Sequence, residues 1–114
     1  MLDKKIIKIG KPWGMEEILE TNEKYTVKRL TMKEGCKCSY QYHERKLETI
    51  FVLKGELIII YEDSIKKYFP GEFITINPFE KHRMSSEKGD AIYLECSTSE
   101  LEDVVRIKDD YGRK

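Results

Sequence analysis

Gly35-Cys36-Lys37-Cys38-Ser39-Tyr40-Gln41-Tyr42-His43-Glu44-Arg45-Lys46-Leu47-Glu48-Thr49-Ile50-Phe51-Val52-Leu53-Lys54-Gly55 is the stretch on which the fold turns. Within Ser39-Tyr40-Gln41-Tyr42-His43 the side chains alternate, so Gln41 and His43 share one face of a strand while Tyr40 and Tyr42 point the other way. Glu48 opens the apolar run Ile50-Phe51-Val52-Leu53. The chain has 2 histidines, and the second, His82, follows the turn Asn77-Pro78-Phe79-Glu80-Lys81. If the strands around Gln41 and His82 are neighbours, an amide oxygen, a carboxylate and both imidazoles converge. That donor set suits a borderline divalent ion such as Zn, Mn, Fe, Co or Ni.

Outward from this stretch the periodicity is that of strands. Segments rich in Ile, Val, Tyr, Phe and Thr are predicted as strands at 6–9, 15–20, 25–32, 39–43, 48–53, 56–62, 65–69, 72–76, 81–85 and 90–96. Pro12-Trp13-Gly14, Glu34-Gly35, Lys54-Gly55, Pro70-Gly71 and Lys88-Gly89-Asp90 punctuate them. One helical turn is expected from Ser99, with Glu102 as its capping-box partner. The reading is all-β, a small sandwich or barrel. Trp13, between Pro and Gly, reads as a lid on the core. Leu57-Ile58-Ile59-Ile60-Tyr61 is apolar on both faces, which implies burial on both sides and points to a subunit interface and a homodimer.

Composition narrows the function. The 114 residues, numbered 1–114, make one domain. Lys plus Arg (21) equals Asp plus Glu (21), so nucleic acid is not the expected partner. No apolar run is long enough for a membrane span, and Met1-Leu2-Asp3-Lys4-Lys5 lacks a signal peptide's apolar stretch. The 3 cysteines fit a reducing, cytoplasmic setting, with Cys36 and Cys38 reduced residues on or near strands.

The spacing Gly35, five residues, Gln41, one residue, His43, four residues, Glu48, six residues, Gly55 resembles the first motif of the cupins. Gly71, five residues, Asn77-Pro78-Phe79, two residues, His82 resembles the second. The resemblance implies a small double-stranded β-helix, the jelly-roll-like cupin barrel. Lys11-Pro12-Trp13-Gly14, Val27-Lys28-Arg29, Ser39-Tyr40-Gln41-Tyr42-His43 and Asp110-Tyr111-Gly112-Arg113 further resemble type II mannose-6-phosphate isomerases. There the cupin is the C-terminal part of a bifunctional mannose-1-phosphate guanylyltransferase/isomerase, and no nucleotidyl transfer is expected of this portion. The resemblance implies that Gln41, His43, Glu48 and His82 are metal ligands, with zinc the first choice.

Two departures stand inside the first motif. The family's arginine is Lys46, which keeps the charge and loses the bidentate fork for a phosphate. The histidine after the glutamate is Thr49, which carries no proton near neutral pH. An aldose–ketose isomerase moves a proton between adjacent carbons through an enediol, aided by a metal. Glu95 is the candidate base and, with Lys46, the candidate catalytic pair. A sugar phosphate would be held by Lys28, Arg45, Arg106 and Arg113. The competing reading is a non-catalytic cupin that binds a sugar or sugar phosphate. Gln41 weighs against an oxygenase, since oxygen-activating cupins generally place a third histidine there.

Overall fold

A computed structural model describes residues 5–114, so residues 1–4, which bear on the expected domain start and N-terminus, lie outside it. The strands are β1 (Ile7–Lys11), β2 (Gly14–Thr21), β3 (Tyr25–Met32), β4 (Tyr40–Tyr42), β5 (Glu48–Lys54), β6 (Leu57–Tyr61), β7 (Ile65–Tyr68), β8 (Phe73–Ile76), β9 (His82–Ser85), β10 (Ala91–Thr98) and β11 (Val105–Lys108). They form a six-stranded sheet, β1-β2-β3-β10-β5-β8, and a five-stranded one, β11-β4-β9-β6-β7. All pairings are antiparallel. Among the described residues no helix is long and apolar enough to cross a membrane.

The interior is layered along the strands. β3 and β10 face inward with alternate residues, and their register sets Met32 opposite Ala91, Leu30 opposite Tyr93 and Lys28 opposite Glu95. Each strand therefore passes from an apolar layer to a charged one. The apolar layer joins Leu30, Met32, Ile50, Val52, Leu57 and Ile59 with other buried side chains. Each such side chain contributes about 1.5–3 kcal/mol by leaving water. Trp13 is buried in this cluster, as a lid on the core requires. The charged layer lies at the Lys28–Glu95 end, where the apolar layer holds it in place.

The return from β5 to β6 needs Gly55. Its φ is +79°, and a Cβ there would lie 2.3 Å from the Asp90 carbonyl oxygen. Three expectations change. The turn from Ser99 is not helical: Leu101 and Val104 N–H donate to the Ser99 and Glu102 carbonyls in successive tight turns. β11, unanticipated, adds to the edge of β4. Leu57–Tyr61 sits between β9 and β7, with Leu57, Ile58 and Ile59 already buried within the single chain, so the burial of these three on both faces needs no partner subunit. Cys36, Cys38 and Cys96 are free thiols.

Candidate metal centre

Gln41 in β4 lies opposite His82, the first residue of β9, and His43 follows β4 directly. Glu48 is the first residue of β5, which brings it in from the other sheet. The ligand atoms of His43, Glu48 and His82 all lie within 4.8 Å of one another, and each residue is buried. Gln41 lines the same cavity, and its Oε1 accepts the Ser39 hydroxyl at 2.5 Å.

Both imidazoles are aimed. His43 Nδ1 lies 2.5 Å from the Asp103 carbonyl oxygen, and His82 Nδ1 lies 2.8 Å from that of Glu80. A carbonyl only accepts, so each Nδ1 carries the proton and each Nε2 presents its lone pair inward. The Nε2 atoms lie 3.3 Å and 3.4 Å from Glu48 Oε1, and both remain buried without a hydrogen-bond partner, as does Glu48 Oε2. Orphaned buried acceptors are costly, on the order of 1–3 kcal/mol each. A tetrahedral ion with bonds of about 2.0–2.1 Å spaces its ligand atoms about 3.3–3.4 Å apart. Donor types, tautomers and the two nitrogen–oxygen separations thus fit a divalent metal ion, and the two carbonyls fix the orientation of the rings that would hold it.

Beside the triad runs a buried line of charge. Lys46 Nζ lies 3.5 Å from Glu95 Oε2 and 3.7 Å from Glu48 Oε2. Lys28 Nζ lies 3.2 Å from Glu16 Oε1 and 3.9 Å from Glu95 Oε2. Burial would raise the Glu48 carboxyl, but where a proton rather than an ion sits on the His43 and His82 Nε2 atoms their N–H bonds, with the Lys46 ammonium, hold it well below the usual range. Burial, then the charge of Glu48, pushes Glu95 up against the pull of Lys46 and Lys28. Burial works against the Lys46 charge, yet Glu95 and Glu48 raise its pKa. Two carboxyls are thereby driven apart, Glu48 fixed as an anion and Glu95 able to exchange a proton.

Arg106 and Arg113 reach the cavity, with Leu101 and Val104 forming part of the lining. Arg113 pairs with Asp109 at 2.8 Å, and Arg106 Nη1 donates to the Lys114 carbonyl at 2.7 Å. Lys28 and Lys46 line the cavity too, whereas exposed Arg45 does not. Glu48 points in and Thr49 points out, its hydroxyl 2.9 Å from that of Thr75 on β8. Position 49 therefore has no contact with the cavity, and the family's histidine there is not a lost proton carrier of this site.

Two contributors escaped the sequence reading. Glu16 sits on β2, every residue of which is half-buried except exposed Thr21, so alternation does not reveal its inner face. Asp103 acts partly through a main-chain carbonyl, which no side-chain motif encodes.

The family model described as "Mannose-6-phosphate isomerase C-terminal" matches residues 3–109. Mannose-1-phosphate guanylyltransferase ManC of Salmonella typhimurium is 31% identical over 109 residues, 92% of this chain and 23% of that protein. The chain thus spans about a quarter of the length of the curated relatives it matches. A cupin-2 domain from Rhodospirillum rubrum superposes with a TM-score of 0.79 at 11% identity, over 89% of this chain and 74% of that one. A sugar phosphate isomerase of the cupin superfamily from Silicibacter pomeroyi superposes with a TM-score of 0.68 at 18% identity, over 75% and 59%. The fold is that of the cupins.

Proposed function

The chain belongs to the mannose-6-phosphate isomerase C-terminal family, and from that premise we propose that it is a metal-dependent sugar-phosphate isomerase, with mannose 6-phosphate the first substrate to try. The observation that carries this reading is the pair of partnerless Nε2 atoms facing Glu48 in a cavity that also holds Glu95 and Lys46. His43, Glu48 and His82 would hold the ion, with Gln41 as a fourth donor and zinc the first choice over Mn, Fe, Co or Ni. A divalent ion there supplies Lewis acidity for a sugar carbonyl.

The remaining chemistry belongs to the chain. Glu95 takes the proton from the carbon beside the carbonyl and returns it to the adjacent carbon. The hydroxyl proton on that same carbon's oxygen moves in the same direction, to the former carbonyl oxygen, so the interconversion balances without a co-reactant. Lys46 offsets charge at Glu95 and offers an N–H to the developing oxyanion. Arg106 and Arg113 at the rim, with Lys28 deeper, supply positive charge for the phosphate.

The test is conversion of mannose 6-phosphate to fructose 6-phosphate by metal-loaded protein in a coupled assay. The reading expects turnover that His82→Ala and Glu95→Gln abolish. Metal-loaded protein that binds the sugar phosphate without turning it over would instead be a non-catalytic binding cupin. Lys46 in place of the family's arginine favours that second reading. For the expected homodimer, Phe51 and Phe73 are the candidate contacts, exposed and opposite one another on β5 and β8. Sedimentation of Phe51→Ser beside the parent chain tests it.

A further inference from the structure

Asp103 makes more contacts around the metal centre than any motif assigned to it. Its Oδ1 accepts the Glu44 N–H at 3.1 Å, and its Oδ2 accepts those of Arg45 at 2.7 Å and Lys46 at 2.8 Å. One carboxylate thus caps the loop that runs from His43 to Lys46. The carbonyl of the same residue accepts a hydrogen bond from His43 Nδ1. Leu101, Val104 and Arg106, on either side of it in sequence, line the cavity. A single residue therefore joins the orientation of a ligand ring, the loop that carries Lys46 and part of the cavity wall.

The segment is otherwise lightly held. Leu101 is 39% exposed, and the four residues of β11 pair only with β4. An ion that fixes the His43 ring fixes the Asp103 carbonyl, and the segment with it. The dependence is reciprocal, because coupling between sites is a shared free energy. Resting on the metal reading above, we propose that Asp103 is a positioning residue that couples occupancy of the His43–Glu48–His82 centre to closure of residues 99–106 against the cavity.

Hydrogen–deuterium exchange of the full chain with and without Zn2+ tests this, together with Zn2+ titration of the parent, Asp103→Asn and Asp103→Ala. In the parent, Zn2+ slows exchange in 99–106 about tenfold or more, while β3 and β6 change little. Asp103→Asn and Asp103→Ala keep the main-chain carbonyl that His43 bonds but lose the carboxylate that anchors it to the 44–46 loop, and bind Zn2+ about tenfold more weakly, the low end of the range for disturbed outer-shell partners. In both, residual Zn2+ no longer protects 99–106. A merely structural Asp103 would lower the melting temperature and leave Zn2+ affinity within twofold of the parent, which overturns the proposal. So does unchanged exchange in 99–106 when Zn2+ is bound to the parent, a result that needs no variant to fold. A parent that takes up none of Zn2+, Mn2+, Co2+, Ni2+ and Fe2+ removes this proposal and the metal reading together, whereas the other adverse outcomes leave the metal reading standing.

Discussion

The ammonium of Lys46 lies 3.5 Å from Oε2 of Glu95, inside the barrel and screened from solvent. The lysine that replaces the family's arginine is thus committed inward, to two buried carboxylates, before any phosphate arrives. Removing one member of a buried charged set leaves the others uncompensated. Lys46→Met is expected to cost about 3–5 kcal/mol in chemical denaturation, the range for breaking a buried pair. A loss under about 1 kcal/mol would show that the carboxylates do not need it.

Glu95→Gln keeps shape and removes the exchangeable proton. Burial and the charge of Glu48 raise this carboxyl above the ordinary carboxylate range, which suits it to exchange a proton. The variant is expected to lose roughly 10²–10⁴-fold in sugar-phosphate turnover while retaining its metal. Equal loss of metal and turnover would make Glu95 a structural support of the centre instead.

Thr49→His restores the family residue on the outward side of β5. Its neighbour there is Thr75, not the cavity. Turnover and metal affinity should stay within about twofold, and stability within about 0.5 kcal/mol, as for other surface changes. A marked gain in turnover would place position 49 in the chemistry after all.

The C-terminal segment has an acid limit. The Arg113 guanidinium beside Asp109 holds that carboxyl down at about 2. An unfolded Asp titrates near about 3.9, so the pair's contribution is complete above that pH and is lost as pH falls through about 2. Asp109→Asn should flatten this part of the melting-temperature profile between about pH 4 and 2. An unaltered profile would assign the acid limb to other carboxylates.

Much of this was legible in the chain. Alternation located most of the strands, and the scarcity of histidine made His43 and His82 informative; the structure brings them together with Glu48. What alternation does not encode is which sheet lies opposite. That hid Glu16, on a strand half-buried along all but its last residue, and made Leu57–Tyr61 point to a partner subunit when its place inside the five-stranded sheet already buries Leu57, Ile58 and Ile59. Val105-Arg106-Ile107-Lys108 is too short and charged to announce a strand, and it forms one by pairing with β4. At Ser99 the capping signal lost to tertiary demand: the Asp103 carboxylate bonds to the 44–46 loop and the segment closes in tight turns.

That His43, Glu48 and His82 hold a metal ion is tested by the metal content per chain. Tag-free protein should carry about one zinc or comparable divalent ion per chain, lost in His82→Ala and Glu48→Gln variants that remain folded. Folded protein with no bound metal, and no thermal shift on adding Zn, Mn, Co, Ni or Fe, would contradict it.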